Sequence, residues 1–385
     1  MQNEHSNDPG DIVRFYPEVR SAHLERLSEM PPSSILFLSR RDDFDTALLP
    51  TDGRVAKKSL LGLIAHVVRK PPRVLEIPEP LWFNYSLHTW VLVKALRIMR
   101  PMRSKATCIV TYAIDNSDFS ALPRRLSWLP QQVWKYAASR ICLLNLKNVD
   151  RMVFGSSGAE DAYSSVIEST NAKLKFQSVE IPALPSPCSC GGKGEVVRSQ
   201  QTVSFVGALE PRKGIDILLG AWAIVRDAFP LAQLQIAGGG PLEALVQKAA
   251  DGDHSISYLG TLTRARVHGL YRATAIVVLP SQRNGRWREQ IGLSIVEGLA
   301  HNCRILASEE TGLARWLEEN GHSVIEAPTS VDALASAVIE NLRSSSMDLE
   351  LADLPSMDGR IAADEWLTRA SVCRVATEEL AGTCE

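Results

Sequence analysis

The sequence predicts an α/β protein built from two open parallel sheets, each covered by helices, and three observations lead there. From Ser204 to Pro328 short apolar segments alternate with amphipathic stretches, the pattern of a parallel sheet buried under helices. A second alternation of the same kind fills the first half of the chain. Between them, from Asn171 to Thr202, the pattern loosens, and PALPSPCSCGGKGE concentrates Pro, Gly and Ser, which marks a hinge. The expected domains are residues 1–190 and 200–360, with a terminal segment at 361–385.

Size and composition agree. A chain of 385 residues holds two domains of ordinary size, and 45% apolar with 22% charged residues describes a globular protein. The net charge of -2 hides a basic stretch from 54 to 105 that includes Lys57, Lys58, Arg69, Lys70, Arg73, Lys94 and Arg97. Such a field attracts phosphates or an anionic membrane surface, unless these are simply solvated helix faces. Nucleic acid is disfavoured, because no reading motif accompanies the basic residues and the whole chain is slightly acidic. The 7 cysteines show no CxxC spacing. Cys188 and Cys190 are the closest pair, but a zinc site needs further ligands around them, and no metal is expected. No signal-peptide pattern opens the chain, and no apolar run reaches spanning length. The expected compartment is the cytoplasm, with peripheral attachment to the inner face of the cell membrane compatible with it.

Elements of the first half follow in order. DIVRFYP at 11–17 reads as an entry strand, SAHLERLSEM at 21–30 as a short helix and SSILFLSRR at 33–41 as a strand whose apolar run ends in charge. SLLGLIAHVVRK at 59–70 has helical spacing, with basic residues at the end where the helix dipole favours them. RVLEIPEP supplies a strand that ends in a proline turn. SLHTWVLVKALRIMRPM is a long helix stopped near Pro101, and ATCIVTYAIDN at 106–116 is a strand with a polar tip. One or two helices follow within 126–150, where Trp128 and Trp134, with Arg124, Arg125 and Lys135, either meet a lipid or partner surface or fill the core. DRMVFG then opens another strand, followed by a Ser-rich helix start.

In the second half, polar features interrupt the pattern where strands end. SFVGAL precedes PRKG at 211–214, which places Lys213 near a helix N-terminus that already favours an anion; Arg212 either helps or faces solvent. LAQLQIAGGGP ends in GGGP at 238–241, whose glycines, Gly239 and Gly240 among them, permit close backbone approach to a ligand and equally suit a turn. ISYLG at 256–260 leads to a loop at Thr261–Thr263. TAIVVLPS at 274–281 runs into the polar loop QRNGRWREQ and then the helix IGLSIVEGLA. Glu289 lies before that helix and Glu297 two turns into it, while the N–H groups of Gly292, Leu293 and Ser294 stand at its start, where phosphate oxygens are held. Carboxylates near a bound anion accept hydrogen bonds from ribose and sugar hydroxyls. Neither GxxxxGK[ST] nor GxGxxG is present. Two helices, DALASAVIENLRS at 332–344 and ADEWLTRASVCRVATEEL at 363–380, end the chain.

With VGALEPRKG at 206–214, GGGP at 238–241 and EQIGLSIVE at 289–297, the chain resembles the retaining glycosyltransferases of the GT-B superfamily, family 4. The resemblance is strong from about 204 to 328 and weak before 200. It implies two Rossmann-like domains facing across a cleft. The first would bind the acceptor and the second a nucleotide-sugar donor, with the terminal helix returning to the first domain through Trp366. By similarity Glu289 would contact the donor hexose, Glu297 the ribose and Lys213 the diphosphate. Gly292, Leu293 and Ser294 would supply backbone contacts. Many members carry an arginine directly after the VG, where this chain has Ala208. Many also place an active-site histidine near TYAIDN, where the nearest acid here is Asp115, an acceptor-side candidate.

The implied reaction transfers a hexosyl group from a UDP- or GDP-sugar to an acceptor hydroxyl with retention, needing no metal or other cofactor. The acceptor would be a lipid-linked glycan of cell-envelope polysaccharide synthesis or a soluble small molecule. An epimerase on the same scaffold and a non-catalytic partner subunit are the rival readings.

Overall fold

The structure, a computed structural model, describes residues 10–41, 44–99, 107–118, 130–170, 172–190, 199–344 and 354–369. The first domain opens with β1 (Ile12–Phe15), β2 (Glu18–Val19), α1 (Ser21–Leu27), β3 (Ser34–Phe37), β4 (Ser39–Arg40) and β5 (Val55–Lys57). It continues through α2 (Leu60–Arg69), β6 (Val74–Glu76), α3 (Ser86–Met99), β7 (Cys108–Ala113), α4 (Gln131–Leu146), β8 (Arg151–Phe154), α5 (Ser157–Ser169) and β9 (Gln177–Glu180). Seven strands form one parallel sheet in the order β5-β3-β1-β6-β7-β8-β9, and β2 pairs with β4 beside it.

The second domain contains β10 (Thr202–Val206), α6 (Ile215–Ala228), β11 (Gln233–Ala237), α7 (Glu243–Gly252), β12 (Ile256–Tyr258), α8 (Arg264–Ala273) and β13 (Ile276–Leu279). It ends with α9 (Leu293–Ala300), β14 (Arg304–Ser308), α10 (Ala314–Glu319), β15 (Ser323–Ile325) and α11 (Val331–Ser344), before a last helix, α12 (Gly359–Thr368). Its six parallel strands run in the order β12-β11-β10-β13-β14-β15. The chain is therefore an α/β protein of two Rossmann-like domains across a cleft.

Burial explains why these segments become strands. Every residue of β13 and β14 is buried, as expected for strands covered by helices on both faces. Trp222 on α6 fills the second core completely and satisfies its indole N–H by donating to Ser255 Oγ at 2.9 Å. In the first domain Val13, Phe15, Leu75, Ile109 and Met152 form the corresponding core. Ser59 and Ser156 cap α2 and α5 by accepting from the N–H groups of Gly62 and Ala159. Trp134 is buried against Phe83, with ring centroids 5.3 Å apart, so it packs inside the domain; Trp128, Arg124 and Arg125 lie outside the described residues. Within the basic stretch Arg97 pairs with Asp150 and Arg73 donates to the carbonyl of Thr368 at 2.9 Å, whereas Lys57, Arg69 and Lys70 are exposed. Arg100, Arg103 and Lys105 lie outside the described residues.

Two differences from the sequence reading have physical causes. The sheet edge β9, QSVE, falls inside the stretch read as loosened, because an exposed edge strand lacks an apolar run. The last helix begins at Gly359 rather than near 363, since the Asp358 carboxylate accepts from the N–H of Arg360 at 2.8 Å and caps it; residues 370–380 of the expected helix lie outside the described ones. Helix α12 packs on the first domain, where Ala363 and Leu367 join Ile12, Val110 and Val153. Arg14 donates to Glu76 at 2.6 Å and to Asp364 Oδ2 at 2.9 Å, and Arg360 pairs with Glu76. All four charges are buried.

Candidate active site

A parallel open sheet binds ligands at the carboxyl ends of its strands, where neighbouring connections leave in opposite directions. In the second domain that point lies between β10 and β13, because the chain moves from β10 outward to β11 and β12, then returns to β13 on the other side. The loops after these two strands touch. Gln282 N–H donates to the carbonyl of Arg212 at 2.7 Å. Gly214 sits at φ +70, where a Cβ would lie 2.1 Å from the Pro280 carbonyl oxygen, so only glycine lets the loops pass so closely.

Lys213 and Glu289 meet at this crossing. The ammonium of Lys213 pairs directly with Glu289 Oε2, and Ser281 Oγ donates to the same oxygen at 2.9 Å. The Glu289 side chain is thus fixed by one cation and one hydroxyl, both on the β10 and β13 loops. Arg212 does not join them: it pairs with Glu210 and stacks 4.1 Å from the centroid of Trp287. That ring also lies 5.2 Å from the Lys213 ammonium, which confines the cation to the crossing. Gly292 precedes α9, whose first turn presents the N–H groups of Leu293 and Ser294, groups that a helix leaves without partners of its own. Leu293 is exposed and Ser294 buried.

The glycine run has a structural reason. A Cβ on Gly238 would lie 1.9 Å from the carbonyl oxygen of Gly207, and one on Gly240 would lie 2.7 Å from that of Leu209. The run therefore threads against the loop after β10, and Gly239 returns its carbonyl to the N–H of Leu209 at 3.0 Å. Glu297 stands apart from Glu289. Burial raises the pKa of its carboxyl and Arg264 opposes that shift. Its backbone carbonyl faces His301 Nδ1 at 2.7 Å. The structure thus brings Lys213 and Glu289 together and shows no contact between Glu289 and Glu297.

The first domain closes over the crossing. Asn116 Nδ2 donates to the carbonyls of Glu289 at 2.9 Å and Glu310 at 3.1 Å, which ties the tip after β7 to the backbone that carries Glu289. Asp115, the acceptor-side candidate, is buried and accepts from Arg286 of the second domain at 3.1 Å. Arg286 also donates to the carbonyl of Leu81 at 2.9 Å. Glu79 lies behind Asp115 and accepts from the N–H groups of Ile114 and Asp115 at 3.0 and 2.9 Å. Burial of its carboxyl and the neighbouring Asp115 push Glu79 up to about 8. A cleft of about 490 Å³ opens beside these contacts, lined by Ser117, Asp118 and Ser157 from one domain and Arg283, Arg288 and Gly312 from the other.

Sequence reasoning missed Asn116, Ser281, Glu79 and Arg286. Ser281 alone left a signal, in the Pro-Ser that ends a strand. It also left Cys188 and Cys190 without further ligands; the fold sets the rings of His268 and His301 beside them.

Comparison with known proteins gives the same architecture. Residues 200–344 match the family model described as glycosyl transferases group 1. Over 179 residues the chain is 31% identical to the phosphatidyl-myo-inositol mannosyltransferase of Mycobacterium tuberculosis, which covers 44% of this chain and 46% of that protein. It is 30% identical over 173 residues to the GDP-mannose-dependent alpha-(1-6)-phosphatidylinositol monomannoside mannosyltransferase of the same organism, covering 43% of each. The matches thus span about half the length of these curated relatives. Among solved structures, Anabaena HepE in complex with UDP superposes with a TM-score of 0.62 at 15% identity, covering 96% of this chain and 99% of that one. Sucrose-phosphate synthase from Thermosynechococcus elongatus does so with a TM-score of 0.58 at 16% identity, covering 96% and 98%. The chain has the GT-B fold of these structures, and its residues 200–344 match the model of the glycosyl transferases group 1.

Proposed function

We propose that the protein is a retaining glycosyltransferase that moves a hexosyl group from a UDP- or GDP-sugar to an acceptor hydroxyl. The observation that carries this reading is the Lys213–Glu289 pair at the sheet crossing beside the start of α9. A diphosphate there meets a lysine and unpartnered helix N–H groups, and a hexose next to it meets the Glu289 carboxylate. In the reaction the bond from the anomeric carbon to the phosphate oxygen breaks while a bond to the acceptor oxygen forms on the same face. The acceptor proton passes to the leaving diphosphate. Lys213 stabilises the negative charge that grows on that group, a role typically worth about 10²–10³ in rate for one well-placed donor.

The names of the relatives bear on both substrates. GDP-mannose is the donor named for one curated relative, and UDP is bound in HepE. Phosphatidylinositol lipids are named for both curated relatives, which supports a lipid-linked acceptor at an anionic membrane face. Exposed Lys57, Arg69 and Lys70, with Leu61 79% exposed at the start of α2, fit peripheral attachment there. No helix among the described residues is long and apolar enough to cross a membrane. Ala208 favours the second reading, a partner subunit that binds a nucleotide-sugar without turnover.

Calorimetry against UDP, GDP and their hexose conjugates tests the site. Saturable binding of one nucleotide series, weakened at least tenfold by Lys213→Ala, is the expected result. Absence of binding by folded protein overturns the reading, and binding without transfer or hydrolysis selects the partner-subunit alternative.

A further inference from the structure

Four side chains that play no part in the donor site converge on one point behind it. Cys188 and Cys190 come from the segment that joins the domains, His268 from α8 and His301 from the residue that ends α9. Cys188 Sγ lies 3.4 Å from His268 Nδ1, Cys190 Sγ lies 3.2 Å from His301 Nε2, and the two nitrogens are 3.1 Å apart. All four atoms lie within 4.8 Å of one another. With metal–sulfur bonds of about 2.3 Å and metal–nitrogen bonds of about 2.0–2.1 Å, a tetrahedron has S···N edges of about 3.5 Å and an N···N edge of about 3.3 Å. The three separations given match those edges to within a few tenths of an ångström, and the other three are within 4.8 Å.

The surrounding contacts prepare the same atoms for a cation. His301 Nδ1 faces the carbonyl of Glu297 at 2.7 Å, so that nitrogen carries the proton and Nε2 turns its lone pair to the cluster. Cys190 N–H donates to Cys188 Sγ at 3.4 Å, and Arg272 donates to the Cys190 carbonyl at 2.7 Å, with the same nitrogen 3.8 Å from Cys190 Sγ. Cys188 N–H also donates to the carbonyl of Ala300 at 2.8 Å, which seats the joining segment on the end of α9. Without a cation, Cys190 and His268 compete for the single lone pair of His301 Nε2; one divalent ion satisfies all four ligands at once.

We infer that Cys188, Cys190, His268 and His301 form a closed, tetrahedral Cys2His2 site for a zinc-class divalent cation that fastens the inter-domain segment to α8 and α9. With four protein ligands it leaves no open position for substrate, which makes it a structural site. Ligand deprotonation on binding releases protons, and occupancy stabilises the folded chain.

The test uses the full chain purified without chelator, with elemental analysis and cobalt(II) titration of the metal-stripped protein. The expected results are about one zinc per chain and an intense thiolate-to-cobalt band with tetrahedral d–d absorption. Both should vanish in Cys188→Ser/Cys190→Ser and in His268→Ala, while Cys373→Ser/Cys384→Ser retains them. A cobalt spectrum lacking the thiolate band, or stoichiometric metal that survives Cys188→Ser/Cys190→Ser, overturns the assignment. So does failure of the wild-type chain to take up cobalt or zinc, a readout that does not depend on any variant folding.

Discussion

At the scale of single residues, the site is a matter of which charges are held and by what. Lys213 is held by Glu289 and confined by Trp287, whereas Arg212, its neighbour in sequence, is occupied by Glu210 and the same ring. One residue of offset decides which cation stands at the crossing. His322 shows the opposite situation, a titratable group kept neutral. It is buried and accepts at Nδ1 from the N–H of Ile305 at 3.2 Å. Burial, helped by the nearby Arg304 charge, lowers its pKa to about 4. Above about pH 6.5 His322 is neutral in folded and unfolded chains alike and costs nothing. As pH falls from there towards 4 the unfolded chain binds a proton that the folded chain refuses, so stability falls with pH, by roughly 3 kcal/mol in total. Urea midpoints at pH 7 and pH 4.5 should show this loss in the wild-type chain and a shallower one in His322→Asn. Parallel pH dependences for the two proteins would remove His322 from the account.

At the scale of elements, α12 is the instructive case. Its inner face carries Arg360 and Asp364, which sit at the centre of a buried network with Arg14 and Glu76. Removing one partner leaves an uncompensated buried charge, which costs about 3–5 kcal/mol. Asp364→Ala should therefore lower the urea midpoint of the chain and expose α12 to proteolysis, with Asp364→Asn intermediate in effect. Unchanged unfolding in Asp364→Ala would mean that apolar contacts of Ala363 and Leu367 hold the helix alone. The sequence made the fully buried strands legible because an apolar run has no other explanation, as in β13 and β14. It hid β9 and the polar anchoring of α12. An exposed edge strand looks like a loop, and a paired buried aspartate looks like a solvated one, since periodicity reports where a side chain points and not what it meets. Lys213 and Glu289 were legible through the resemblance carried by VGALEPRKG and EQIGLSIVE, since charge alone does not single them out from Glu210, Arg212, Arg283, Arg286 and Arg288 in the same loops. Asn116 was not, because a single amide reaching two carbonyls of another domain leaves no pattern in its own neighbourhood.

At the scale of the whole molecule, the question is what sets the closure of the two domains. Two of the contacts across the cleft, Arg315–Asp161 and Arg264–Glu25, are ion pairs at the rim whose partners are at least 43% exposed, so each contributes about 0–1 kcal/mol. Asn116 and the Arg286–Asp115 pair lie deeper, and Asp115 and Asn116 are buried. Loss of Asn116 or Arg286 removes a buried hydrogen bond at each acceptor, about 0.5–1.5 kcal/mol for a carbonyl and about 1.5–3 kcal/mol for the carboxylate, while Gly312 N–H still donates to the Glu289 carbonyl and Ser117 N–H to Asp115. These deeper contacts, one reaching the backbone of Glu289 itself, therefore dominate the closed arrangement. Asn116→Ala/Arg286→Ala should shift the chain towards an open form with a larger radius of gyration in solution scattering. On the proposed glycosyltransferase reading, closure would exclude water from a reactive donor, and the same variant should then transfer less sugar and hydrolyse more donor per transfer event. A variant with unaltered scattering and an unaltered ratio of hydrolysis to transfer would assign closure to other contacts. A larger radius with the ratio unchanged would separate domain motion from water exclusion, and place the barrier to water within the β10 and β13 loops around Lys213 and Glu289.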